Sequence, residues 1–443
     1  MRDLFVFGLI AASLLLALRK PQCGILVWVW VSVMNPHRLA YGWLSNFPIL
    51  DVVAAVTIIS VLFNSKDAAR VSWQPVLSWL LLFYLWCCLT TVFSVSIDRA
   101  YDPWLKFTKS LLPALFLLLY MNKRHWIIAA IAVFVLSIAF FGIKGGLFTV
   151  LTGGGNRVYG PPKSSWGDNT SVSIAMLIVI PIMLAGRHLF KGKVYRNGVV
   201  TSVLISFMAL LGTQSRGGFV GLAGQVMFVL YRSNRKILAS FILLTILAVG
   251  MVFMPDNWTD RMSTISTDVS ELDESATNRL IQWRYAITIA NERPLFGNGF
   301  NAFYFQPYYQ KFVAHLDRNR AVHSNYFQVL GEQGYIGILL YLSMWLTFLV
   351  WSERYAKKAL EYEELKWAGY MLQALQFGFI GYAFNGLTVN MAYLDLAYFL
   401  LAFSVLLISH IQGEIGSGSL GNKPPAPAIK REHGLVRRSA GSV

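Results

Sequence analysis

The chain has 443 residues, of which 56% are hydrophobic and only 14% charged. A soluble domain carries roughly 25% charged residues, so this composition, with its repeated apolar runs, excludes an ordinary soluble protein and predicts an all-α polytopic membrane protein. The runs are continuous rather than alternating, which argues against a β-barrel. The formal net charge of +16 would suit a nucleic acid in a soluble protein, but here Lys and Arg fall mostly in short loops between apolar runs, where they orient spans, and no nucleic-acid partner is expected.

Apolar segments run over 4–18, 22–34, 48–63, 76–95, 104–121, 125–143, 171–186, 198–213, 217–231, 237–254, 335–351, 369–385 and 391–410. The first two are short, either two tight spans or one element broken around Arg19-Lys20-Pro21, so about 12 spans are expected (12–13). No small-residue cleavage site follows the first run, and no cleavable signal peptide is expected. Cys23, Cys87 and Cys88 all lie in apolar runs and show no disulfide or metal-ligand spacing.

Five basic loops alternate with the spans: Lys66 and Arg70; Lys123 and Arg124; Arg187 to Arg196; Arg232 to Lys236; and Arg354 to Lys366. The positive-inside rule puts them on the cytoplasmic side, with the C-terminus. The opposite side, the periplasm of a bacterial inner membrane, receives the polar stretches 35–47, 144–170 and 254–334. The chain therefore divides into spans over 1–253, a large loop over 254–334, further spans over 335–411 and a basic tail over 412–443 that reads as disordered. The loop reads as helical: Leu280, Trp283, Ile287 and Ala290 follow helical spacing over Ser275–Asn291, Pro294-Leu295-Phe296-Gly297 supplies a stop, and Val322–Leu330 opens a second helix running into the next span.

Chemistry is expected on that polar side. In Gln214-Ser215-Arg216-Gly217-Gly218, Arg216 lies at a span boundary where a helix begins. A guanidinium beside a helix N-terminus makes an anion site, and the two glycines let a ligand approach the backbone; the competing reading is an Arg reaching for headgroups. Arg284 follows Trp283 in an apolar stripe and is expected near the membrane surface. His323 shares helical spacing with Phe327 and Leu330, which suits a core or capping histidine. At a helix start it would also stay neutral, fit to act as general base toward a hydroxyl. The stretch Gly160 to Thr170 offers Lys163, Trp166 and nearby Arg157 for a phosphosugar or glycan, or a plain turn with an interfacial Trp. No Walker, His-Glu-x-x-His, Gly-x-Ser-x-Gly or Asp-x-Asp motif accompanies them. No metal site and no cofactor are expected, and a transferase here would need a pre-activated, membrane-borne donor.

Ser215-Arg216-Gly217 after a span, the long loop, and His323-Ser324-Asn325 followed by Gln328, Leu330, Glu332 and Gly334 resemble the bacterial O-antigen ligase superfamily. Arg19-Lys20-Pro21 through Met34-Asn35-Pro36-His37-Arg38, and the Gly160–Asn169 stretch, resemble its exosortase-associated O-glycosylation ligase branch. The resemblance spans residues 1–410 and implies a C-type glycosyltransferase-like fold with one large periplasmic loop. It implies metal-independent, inverting transfer of O-antigen from undecaprenyl diphosphate to lipid A–core, the two substrates meeting among membrane lipids in lipopolysaccharide biosynthesis. It implies that His323, Arg216 and Arg284 are catalytic. Gln214, Ser215, Lys163, Arg157, Trp166 and Asn325 are added as substrate-binding candidates. An O-antigen polymerase or a protein O-oligosaccharyltransferase stays open. So does a lipid-linked sugar transporter, although the polar groups cluster at one face and no internal repeat is found.

Overall fold

Pro21 decides how the chain starts. It has no N–H to donate and occupies the first position of a helix, so the leading apolar run divides there into α1 (Arg2–Arg19) and α2 (Pro21–Met34). The two pack side by side, and α3 (Ile49–Phe63) packs on both. Leu44 N donates to Asp3 Oδ1 near the start of α1, and Ser60 Oγ donates to the Ala17 carbonyl near its end. So α1 and α3 run in the same direction with α2 returning between them, and the broken-element alternative falls away.

This computed structural model describes residues 2–40, 42–64, 66, 68, 72–233, 240, 274–313 and 321–418. The apolar segment 237–254 (Ser240 apart), the large loop up to residue 273, His315 and the tail from residue 419 lie outside the described residues. The remaining helices are α4 (Pro75–Val92), α5 (Ile97–Tyr120), α6 (Arg124–Leu151), α7 (Asn169–Gly186), α8 (Lys193–Gly212), α9 (Arg216–Arg232), α10 (Glu274–Glu292), α11 (Gln306–Val313), α12 (Asn325–Leu360), α13 (Lys366–Asn385) and α14 (Asp395–Gly416). Among the described residues there is no strand. The protein is a multi-pass helical membrane protein.

Six of these helices are long and apolar enough to cross a membrane: α4, α6, α7 continued to Leu189, α8, α12 and α14; α2 and α3 are apolar but shorter. The count of 12 is thus carried only in part: the segment 237–254, Ser240 apart, lies outside the described residues, and composition takes out two more helices. Helix α5 places Asp98, Arg99, Asp102, Lys106 and Lys109 in its first 13 residues. Helix α9 has 17 residues, with Arg216 at its start and Arg232 at its end.

Helix α14 lies in the middle of the bundle, packed by α5, α6, α12 and α13. Its apolar residues are buried on all sides, from Leu396 to Ile408. Two ends of the bundle can be told apart by composition. At the basic end, Arg124 stands over the Trp367 ring at 5.2 Å, His188 stacks on Tyr370 at 4.3 Å, Arg232 pairs with Glu353, and Gln412 donates to Tyr355 Oη. Loops distant in sequence therefore meet there. At the polar end, Trp166 Nε1 donates to the Val33 carbonyl (3.0 Å), Asn169 Nδ2 to the Thr213 carbonyl (2.9 Å), and Asn325 N to the Gly386 carbonyl (2.7 Å).

The described part of the large loop is helical and welded to the bundle. Helix α10 covers the stretch read from the Leu280–Ala290 spacing, and the turn at Gly297 (φ +65°) follows it. Helix α12 breaks at Gly334 (φ +71°). A Cβ on Gly297 would stand 2.4 Å from Gly334 N, and one on Gly334 would stand 2.6 Å from the Leu295 carbonyl. Two glycines thus let loop and span backbones touch, and Tyr335 N closes the joint on the Pro294 carbonyl at 2.9 Å.

Candidate functional site

The turn after α13, residues 385–390, borders the immediate neighbours of two of the three residues read as catalytic, Gly217 next to Arg216 and Ser324 next to His323. Ser215 caps α9 by accepting from Gly218 N at 3.2 Å, which leaves Arg216 as the first helical residue, partly exposed. A Cβ on Gly217 would lie 2.5 Å from Thr388 Oγ1 and 2.9 Å from Asn385 Oδ1, and one on Gly218 would lie 2.8 Å from Ser173 Cβ. This corrects the sequence reading: the space left by these glycines seats α9 against its neighbours rather than receiving a ligand.

His323 approaches the same turn from the loop. Ser324 N donates to Asn390 Oδ1 (3.1 Å), Asn325 N to the Gly386 carbonyl (2.7 Å), and Met391 N to Asn325 Oδ1 (2.6 Å). Pinned on its C-terminal side, His323 takes a left-handed backbone (φ +53°) two residues before α12 and is exposed. It therefore does not share the buried face expected from its spacing to Phe327 and Leu330. Arg284 is exposed on α10. Its neighbour Trp283 donates to the carbonyl of Val322 at 3.1 Å and stacks on Phe327 with centroids 5.1 Å apart. The residue before Arg284 is thus bonded to the residue before His323.

The substrate-binding candidates divide. Gln214 (φ +50°) donates through Nε2 to the Gly154 carbonyl at 2.8 Å, so it ties two loops together. Ser215 is buried as a cap, and Asn325 is buried with its side chain committed to Met391 N. Trp166 has no exposed surface and meets Phe141 edge-on. A ring so enclosed cannot stack on a sugar, and the sequence reading is corrected: the indole belongs to the core. Lys163 is exposed and Arg157 partly so, and each lines a cavity.

Those cavities differ in charge. Among the described residues, a cavity of about 400 Å³ is lined by Arg2, Arg38, Lys144 and Arg157 and by no Asp or Glu. A cleft of about 730 Å³ beside it shares Arg38 and reaches Lys163, His37, Gln328, Glu332 and Asn390. Burial, and then Arg38 next to it, push His37 down to about 4, so its imidazole stays neutral. Sequence reasoning passed over this cleft. Gln328 and Glu332, one helical turn apart ahead of an apolar run, were the available signal. Among the described residues, no three His, Cys, Asp or Glu side chains are grouped to hold a metal ion.

Comparison with known families gives two matches. Residues 1–189 match a family of unknown function. Residues 201–342 match the O-antigen ligase family, and Arg216, Arg284 and His323 all fall inside that range. No curated protein matches the chain.

Proposed function

The chain belongs to the O-antigen ligase superfamily, and from that premise we propose that it transfers a glycan from undecaprenyl diphosphate to lipid A–core on the periplasmic face of a bacterial inner membrane. The observation that carries the proposal is that the backbones next to Arg216 and His323 both meet the 385–390 turn, while the residue before Arg284 is bonded to the residue before His323, all three residues lying in the matched segment 201–342. His323 takes the proton of the acceptor hydroxyl as its oxygen attacks the anomeric carbon. The bond from that carbon to the diphosphate oxygen breaks, and the configuration inverts. Arg216 and Arg284 neutralise the departing undecaprenyl diphosphate, so the step proceeds without a metal. A base held in position contributes roughly 10²–10⁴-fold.

The test mixes purified full-length protein in detergent with the lipid-linked glycan and lipid A–core, in chelator and without ATP. Wild type converts lipid A–core to a ladder on a gel. His323→Ala and Arg216→Ala, each inserted normally in the membrane, lose at least about 100-fold of that activity. Normal transfer by His323→Ala would remove the base. Lengthened lipid-linked chains with untouched lipid A–core would assign a polymerase, and transfer to a protein an oligosaccharyltransferase. Uptake of the lipid-linked sugar into liposomes without transfer would assign a transporter.

A further inference from the structure

We infer that the cleft of about 730 Å³ at the polar end binds a saccharide, and that Glu332 Oε2 accepts one of its hydroxyl hydrogens. The inference rests on the glycan-transfer reading and names a part of its substrate site beyond the three residues above.

Charge separates this cleft from its neighbour. Among the described residues, four Lys or Arg side chains line it and so do four Asp or Glu side chains, and one pair is already joined, Lys109 to Asp51 at 3.4 Å. A diphosphate seeks a surplus of positive charge, which the smaller cavity has and this cleft lacks. Amides and aromatic rings make up much of the remaining wall, including Asn301, Gln328, Asn390, Trp28 and Phe300. Such a wall matches the hydroxyls and C–H faces of a neutral sugar.

Two deeply buried polar atoms on this wall have no hydrogen-bond partner among the described residues. Glu332 is 2% exposed; its Oε1 accepts from Asn301 N at 3.0 Å, and Gln328 and Tyr393 also interact with the carboxyl, but among the described residues no donor meets Oε2 in good hydrogen-bond geometry. His37 is 4% exposed, and its Nδ1 has no hydrogen-bond partner among them either. Burying an unpaired polar atom costs free energy, and a polyhydroxylated ligand supplies what both atoms want. The cleft also reaches the reacting region, because Asn390 lines it and holds Ser324 N, next to His323.

The experiment is saturation-transfer NMR on the full-length protein in detergent. One probe is the reducing oligosaccharide released by mild acid from the lipid-linked donor. The other is the core oligosaccharide released from lipopolysaccharide. Wild type binds at least one of them, which shows whether donor or acceptor brings the saccharide. Glu332→Gln keeps the Asn301 bond but puts an N–H₂ where the acceptor oxygen was, and weakens binding about ten-fold with an unchanged unfolding temperature. Ser32→Trp fills the cleft from α2 and abolishes binding, which keeps the test valid if Glu332→Gln misfolds. Equal binding by wild type and Glu332→Gln, or saturation transfer to neither probe, overturns the inference. The readout needs no turnover, so a failed ligation assay counts against glycan transfer and absent probe binding counts against this site.

Discussion

At the scale of single residues, burial separates structural side chains from chemical ones. Trp166 is fully enclosed and hydrogen-bonded to the Val33 carbonyl. Trp166→Ala should therefore lower stability by about 3–5 kcal/mol, read as a large drop in the unfolding temperature in detergent. An interfacial or sugar-stacking ring would leave that temperature nearly unchanged. His37 carries a pH dependence. Its folded pKa of about 4 lies below the ordinary 6.5. The unfolded chain therefore takes up a proton that the folded chain refuses, and the stabilising contribution, full above pH 6.5, is lost as the pH falls toward 4. Unfolding temperatures measured from pH 7 to 4 should fall more steeply for wild type than for His37→Asn. Equal slopes would mean that His37 is solvated.

At the scale of elements, glycine sets how closely helices approach. Helices α6 and α8 pack along much of their length, and a Cβ on Gly146 would stand 1.8 Å from the Ile205 carbonyl. No rotamer relieves a collision with backbone. Gly146→Ala should force α6 from α8 and destabilise the protein by about 1–3 kcal/mol or more. Gly153→Ala makes an informative control, since nothing lies within 4 Å of a Cβ there, although its φ of +60° still adds strain. Gly146→Ala should fall below that control in unfolding temperature. The break at Gly334 works in the other direction: it lets one helix begin in the loop, carry Gln328 and Glu332, and continue as a span.

For the whole molecule, the two ends differ in what they expose, and the positive-inside rule turns that difference into an expected membrane orientation. Lys163 belongs to the polar end and Lys358 to the basic end. In a variant with Cys23, Cys87 and Cys88 replaced, Lys163→Cys should react with a membrane-impermeant maleimide once the outer membrane is opened, and Lys358→Cys should react only after the inner membrane is broken. The reverse pattern would place Arg216, Arg284 and His323 in the cytoplasm and remove a periplasmic reaction.

Composition and periodicity alone determined the helical membrane class, because a run of apolar residues has few places to go besides a bilayer or a core. Pattern also located α10 and its stop, and the motif around His323 pointed to the family. Span length was less legible: α5 mixes charges into its first 13 residues, and its neighbours rather than its sequence show where those charges sit. Tertiary structure decided what each side chain faces. Spacing placed His323 on a buried face, but hydrogen bonds from Ser324 and Asn325 to the 386–390 turn hold it in a left-handed, exposed conformation. Spacing read Gly217 and Gly218 as room for a ligand, and that room is filled by Asn385, Thr388 and Ser173. The cleft with Glu332 needed the fold outright. Its walls come from residues 28 to 399, and a carboxylate oxygen left without a donor among the described residues is a property of packing that no local pattern encodes.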